Sequence, residues 1–186
     1  MSRERSTAED ASFASLALGG DERGYRGLLD RHREPIYRLV RNLVRDDEEA
    51  KDITQQAFIS GFAALKRFDP AQSFRNWMSR IAINKCRDWA RKRAVRRFLW
   101  SGDAEDSMLF VADGEPGADR RAVAKAELSR VEAAIDRLPQ RLKEVIVLRG
   151  IEQLSQQESA DVLGVTPKAV ETRLYRARAR LNELLD

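Results

Sequence analysis

Residues Ser155-Gln156-Gln157-Glu158-Ser159-Ala160-Asp161-Val162-Leu163-Gly164-Val165-Thr166-Pro167-Lys168-Ala169-Val170 read as two helices around a tight turn. Ser155 with Glu158 three places on is a capping box, so a helix opens there. Gly164 can take the left-handed conformation that ends it. Thr166 and Pro167 then supply a cap and a first-turn proline for a last helix reaching about Leu185. Ala160, Gly164 and Val170 stand at the spacing of a helix–turn–helix: a small residue for close approach, a glycine for the turn, and a β-branched residue that packs back. Leu163 and Val165 flank the turn.

On a wheel of about 100° per residue, Val170, Leu174, Ala177 and Leu181 fall in one arc and must face a core. Lys168, Thr172, Tyr175 and Arg176 point the other way, with Glu171 beside them and Arg173, Arg178 and Arg180 on the flanks. Five basic residues against the single acid Glu171 between 168 and 182 is lopsided for ordinary surface mixing. Such a face suits the major groove, where arginine can pair with guanine, glutamate can accept from cytosine, and flanking arginines can hold phosphates. The plainer alternative is a solvated face that serves solubility.

Upstream, Val123, Leu128, Val131, Ile135 and Leu138 mark a helix that stops before Pro139. Pro139 starts another, carrying Leu142, Val145, Ile146 and Leu148, with Gly150 as its expected stop. Before these, Ser101 to Asp119 holds six acids, no Lys or Arg, and Gly102, Gly114, Pro116 and Gly117. That composition predicts a linker, with Met108 to Val111 as an apolar island inside it.

The N-terminal half is also helical by periodicity. Tyr25, Leu28, Leu29, His32, Ile36, Leu39, Val40 and Leu43 form one stripe, interrupted by Pro35, which predicts a kink or a lost hydrogen bond. Asp46 to Glu49 suit a helix N-terminus, and Ala50, Ile53, Ala57, Phe58, Phe62 and Leu65 follow as its buried stripe. A loop from Asp69 to Ser73 leads to a third helix, capped by Ser73, with Phe74, Trp77, Met78, Ile81, Ala82 and Trp89 as its stripe; Ile83 falls off it. Residues 1–20 are polar and rich in small side chains, and predict a mobile arm with room for a short helix from Ser12 to Leu18. The fold class is therefore all-α: an arm (1–20), a helical domain (21–97), an acidic linker (98–120) and a helix–turn–helix domain (121–186).

Charge concentrates in the third helix. From Arg75 to Arg97 there are nine basic residues, with Asp88 the only acid. Such a stripe attracts a phosphate backbone. Phe74, Trp77, Trp89, Phe98 and Trp100 lie among the charges and could receive unstacked bases, though Trp77 and Trp89 fit core packing equally well.

The 186 residues carry a net charge of +4, one cysteine (Cys86) and one histidine (His32). No intrachain disulfide and no structural zinc site can be built from these, and no cofactor is implied. No phosphate loop or nucleophile elbow is present, and His32 within an apolar stripe reads as a packed helix residue. Cys86 reads as structural, or as a lone thiol that could sense oxidant. The N-terminus lacks a signal peptide's apolar core, and no apolar run approaches the roughly 20 residues of a membrane span, which predicts a cytoplasmic protein.

The order of parts resembles the sigma-70 family in its smallest class, the extracytoplasmic-function (ECF) sigma factors. The resemblance covers about residues 24–97 and 122–185. Ala50-Lys51-Asp52-Ile53-Thr54-Gln55-Gln56-Ala57-Phe58 resembles the segment that grips the β′ clamp helices of RNA polymerase. Phe68-Asp69-Pro70 through Trp77 resembles the loop that captures a flipped −10 base, and Ile81 to Arg91 the −10 helix. Leu138-Pro139, Val145 to Arg149 and Leu163 to Arg178 resemble the −35 domain. The resemblance implies a bacterial, non-catalytic subunit that binds core polymerase at its β′ clamp and β flap, directs it to promoter DNA, and is held in check by an anti-sigma factor. It assigns Lys168, Glu171, Thr172, Arg173, Tyr175, Arg176 and Arg178 to the −35 duplex. It assigns Asp69, Gln72, Ser73, Asn76, Arg80, Asn84, Arg87, Asp88 and Arg91 to the melted −10 strand, and Asp52, Gln55, Gln56 and Phe58 to the clamp. Two differences from the family pattern stand out: Lys51 and Gln56 replace acids in the clamp segment, and Glu171 sits where relatives are often basic. A dimeric helix–turn–helix regulator and a sigma-like decoy that titrates an anti-sigma factor are the competing readings.

Overall fold

The computed structural model describes residues 2–100 and 119–186, with side chains described for 6–99 and 126–186. The described residues form helices and no strand: α1 (Ser2–Leu18), α2 (Glu22–Val44), α3 (Asp47–Ala63), α4 (Phe74–Trp100), α5 (Asp119–Asp136), α6 (Gln140–Ile146), α7 (Gln156–Leu163) and α8 (Pro167–Leu185). The expected linker and its apolar island lie almost wholly outside the described residues.

The N-terminal domain is α2, α3 and α4 packed together. Asp21 caps α2 by accepting from Arg23 N, and Asp46 caps α3 by accepting from Glu49 N. Helix α2 continues through Pro35, which forgoes the bond to the Arg31 carbonyl. It ends at Arg45, a non-glycine residue at φ 62° whose N–H donates to the Arg41 carbonyl. Phe74, Leu28, Ile36, Leu39 and Met78 are fully enclosed between the three helices.

Residues 2–18 form one helix, so the expected mobile arm is replaced by an element that includes the Ser12–Leu18 segment allowed for and extends it to Ser2. Helix α1 lies against α2 so closely that a Cβ on Gly24 would clash with the Ala17 nitrogen and the Phe13 carbonyl. Ala14 and Ala17 are buried in that contact. Asp10 is also buried and meets His32 Nε2 at 2.9 Å, while the His32 ring packs on Phe74 at 5.0 Å. His32 is thus a packed, paired residue on α2.

In the C-terminal domain α6 runs into a wider π turn (Val147–Ile151). Gly150 was expected to stop the helix. It lies inside that turn without a left-handed φ, and the left-handed residue is Gln153, at φ 54°. The capping box forms: Ser155 Oγ accepts from Glu158 N at 3.2 Å, and Ser155 N donates to Glu158 Oε2 at 2.8 Å. Gly164 is left-handed at φ 67°, and Thr166 Oγ1 accepts from Ala169 N at 3.2 Å to start α8. Ala160 and Val170 are buried beneath the turn.

The two domains share one continuous core, joining Phe74, Met78 and Ile83 to Val145, Leu148, Val162 and Val170. Helix α4 packs on α2 and α3 with one face and on α7 with another. This explains Ile83, which is off the predicted stripe and yet only 1% exposed. It points roughly opposite Phe74 on the wheel, on the side that carries Arg80 and Arg87.

Candidate nucleic-acid and polymerase interfaces

Helix α8 buries Val170 and Ala177 and leaves its opposite face open. Lys168, Glu171, Thr172, Tyr175, Arg176 and Arg178 are exposed, and Arg173 is half-buried at the edge. Lys168 Nζ lies 3.0 Å from Glu171 Oε2, so the acid is neutralised within the same turn. Thr172 Oγ1 donates to the Lys168 carbonyl at 2.9 Å. The helix–turn–helix therefore brings all seven −35 candidates to one surface, six of them with full access.

The −10 candidates divide. In the loop before α4, Asp69 is its own scaffold: Oδ1 accepts from Ala71 N at 3.0 Å and Oδ2 from Gln72 Nε2 at 3.2 Å. Ser73 caps α4, accepting from Asn76 N at 3.3 Å. Asp69 and Gln72 remain exposed, with Ser73 and Asn76 half-buried beside them. Further along, Asp88 and Arg91 pair with each other on the exposed side. Of the two remaining arginines, Arg87 is half-buried and Arg80 is exposed, and both bond across to the C-terminal domain. Arg87 puts Nε at 2.8 Å and Nη2 at 2.7 Å from the two oxygens of Glu144 on α6, and Nη1 at 3.1 Å from Asn84 Oδ1. Arg80 forks onto the Asp161 carbonyl of α7. Arg75 donates to Glu152 Oε2 at 2.6 Å. The Glu144 hydrogen bonds hold the Arg87 guanidinium above its ordinary pKa, against a smaller opposing effect of burial.

The aromatic residues of α4 serve the core. Trp77 packs on Phe68 and Phe74 at 5.4 and 5.5 Å, and Arg93 covers the Trp89 ring at 5.2 Å. Phe98 alone of the described set stands out, at 83% exposure. Burial pushes the Cys86 thiol up to about 12, with Glu144 adding to the effect, so it offers no thiolate to an oxidant at neutral pH.

On α3, Asp52, Gln55 and Gln56 share an exposed face. Phe58 does not join them: it is 4% exposed and rests on Phe62 at 5.7 Å, because it lies on the α3 face turned to the core. The residue that does join them is Ile59, 62% exposed and one turn beyond Gln55. Its signal in the sequence was an apolar side chain at the wrong phase for the buried stripe. Lys51, one turn before Gln55, pairs with Glu48 at 2.5 Å.

Two family models match the chain: Sigma-70 region 2 over residues 28–96, and Sigma-70, region 4 over residues 128–181. The chain is 38% identical over 180 residues to the RNA polymerase sigma factor CnrH of Cupriavidus metallidurans, covering 95% of this chain and 94% of that protein. It is 33% identical over 172 residues to the ECF RNA polymerase sigma factor SigW of Bacillus subtilis, covering 89% and 91%. The solved structure of CnrH in complex with the cytosolic domain of CnrY aligns at a TM-score of 0.69 and 34% identity, over 95% of this chain and 97% of that one. A basic helix in one domain and a helix–turn–helix in the other thus stand in the same order as in relatives matched along nearly their whole length, and the chain belongs to the ECF class of the sigma-70 family of RNA polymerase sigma factors.

Proposed function

We propose that this sigma factor seats on core polymerase through the Asp52–Gln55–Gln56–Ile59 face of α3, and reads a promoter with α8 on the −35 duplex. The Asp69–Ser73 loop and α4 hold the melted −10 strand. The observation that carries this reading is the open face of α8, where Lys168, Thr172, Tyr175 and Arg176 stand opposite buried Val170 and Ala177. That face presents hydrogen-bond donors for base edges and cations for phosphates. On the −10 side, unstacking costs a few kcal/mol per base, which phosphate contacts from α4 must offset.

The chain performs no reaction of its own in this reading and works in the bacterial cytoplasm. Among the described residues no helix is long and apolar enough to cross a membrane. An anti-sigma factor restrains it; the complex of CnrH with the CnrY cytosolic domain supports a protein partner of that kind.

Run-off transcription with core polymerase on a randomised promoter library tests the proposal, because the selected start sites define both elements. Specific transcripts are expected with the wild type. Arg176→Ala should relax the selected −35 sequence and leave the −10 sequence unchanged. Absence of specific initiation would overturn the proposal.

A further inference from the structure

We propose that α1 sets the shape of the −10 loop: Asp10 and His32, a buried pair, fix the aromatic anchors between which the loop from Asp69 to Ser73 hangs. Asp10 is thus a positioning residue that acts through His32. This rests on the reading of that loop as a holder of the melted −10 strand.

The loop is tied at both ends by a ring. Phe68 follows the short turn Leu65–Arg67 and precedes the loop, and Phe74 opens α4 just after it. Both are buried, and their rings meet edge to face at 5.2 Å. Trp77 packs on both and closes the triangle. The spacing of these rings therefore fixes how far apart the loop's ends stand.

A fourth ring comes from α2. His32 lies on Phe74 at 5.0 Å, tilted by 45°. The last torsion of a histidine has a broad, roughly two-fold profile, so packing alone sets its plane loosely. Asp10 removes that freedom. Its carboxylate accepts from His32 Nε2 at 2.9 Å, with Arg31 Nε at 3.3 Å, and the two side chains of the pair are only 3% and 6% exposed. A buried acid is costly where an apolar residue would pack, and Asp10 stands in a contact otherwise built from Phe13, Ala14 and Ala17. An orienting role accounts for its place. The seat of α1 has no play: besides the close approach at Gly24, a Cβ on Gly27 would meet the Phe13 ring at 2.5 Å. The same helix touches the Leu65–Arg67 turn and α4, the elements on either side of the loop. A loop held in shape before the strand arrives binds it more tightly, and affinity falls with the fraction of chains whose loop is competent.

The test uses holoenzyme assembled with wild type or Asp10→Ala. Two fluorescein-labelled probes are bound: a single strand of about 12 nucleotides carrying the selected −10 sequence, and a duplex carrying the selected −35 sequence. Asp10→Ala should weaken the strand about tenfold and leave the duplex unchanged. In the free chain, hydrogen exchange at the Ala71 and Gln72 amides, which bond within the loop, should quicken about tenfold. Asp10→Asn keeps an acceptor for His32 and should restore both. Unchanged strand affinity, equal weakening of strand and duplex, or an Asn variant no better than the Ala variant would overturn the proposal. If circular dichroism shows that Asp10→Ala does not fold, Asp10→Leu with His32→Phe keeps the burial and removes the bond, and the same outcomes decide. If wild-type holoenzyme binds no strand, the −10 reading falls, while exchange at Ala71 and Gln72 still decides the positioning: faster in Asp10→Ala supports it, and unchanged overturns it.

Discussion

Gly164 and Gly150 offer a matched pair of substitutions whose effects should have opposite signs. A Cβ on either glycine would meet nothing within 4 Å, so steric clash with the rest of the fold drops out. Gly164 sits at φ 67°, ψ 42°. An alanine there loses roughly 1–2 kcal/mol to left-handed strain, and recovers part of it because the unfolded chain is stiffer. The net effect of Gly164→Ala is a loss of about 1 kcal/mol. Gly150 lies in the π turn without a positive φ, so Gly150→Ala keeps only the unfolded-state gain, about 0.4–1 kcal/mol. Because the two domains share one core, the whole chain of 186 residues melts as the unit, for which 1 kcal/mol moves the melting midpoint by about 2–4 °C. The two variants should therefore melt about 5 °C apart, on either side of the wild type. Far-UV circular dichroism is the assay, because the three tryptophans at 77, 89 and 100 all precede the C-terminal domain. If both variants shift Tm in the same direction, the reasoning from backbone conformation is refuted.

Three further outcomes follow from the structure. Gly24→Ala forces a methyl into the α1 backbone and should destabilise by about 1–3 kcal/mol, with faster hydrogen exchange confined to α1; uniform protection across α1 would contradict the close contact. The raised pKa of Cys86 means the folded chain keeps a proton that the unfolded chain sheds above its ordinary value of 9.0. That stability is complete below about pH 9 and lost by about 1.4 kcal/mol per pH unit up to about 12, a slope that Cys86→Ala should remove from urea titrations; parallel pH profiles would refute it. Thr166→Ala deletes the cap of α8 and should cost about 1 kcal/mol in urea denaturation, and Thr166→Ser should restore most of it; equal loss in both would mean the hydroxyl is not the cause.

Elements with their own punctuation were legible in the sequence. Ser155, Glu158, Gly164, Thr166 and Pro167 each act within a few residues of themselves, so the turn and both helices around it could be read directly. Helix α1 was legible only over Ser12–Leu18 because its buried side is built from Ala14, Ala17 and Asp10, which give a weak apolar stripe. The complementary signal lay in α2, where Gly24 interrupts an otherwise apolar, helical pattern and marks where another backbone comes close. The exposed face of α8 was legible because one buried arc, Val170 and Ala177, fixes the rest. Helix α4 has two buried faces, and a reading with one stripe left Ile83 unexplained. Phe58 is buried and Ile59 exposed for a related reason: likeness to a motif marks a segment, while helical phase decides which of its side chains emerge. The partners of Arg75, Arg80 and Arg87 are some 57 to 81 residues away along the chain, beyond the reach of any local pattern.

Arg45 is where local comfort and long-range cohesion disagree. Glycine would rest at its backbone angles without penalty, while arginine sits about 1 kcal/mol uphill. What offsets this is the reach of its guanidinium to Glu132 at 3.2 Å and Asp136 at 3.3 Å on α5. Without those two pairs only the backbone bond from Arg45 N–H to the Arg41 carbonyl would hold that conformation. The tip of this helix is therefore a joint between the halves, where one residue's backbone conformation and its ion pairs to α5 are set together.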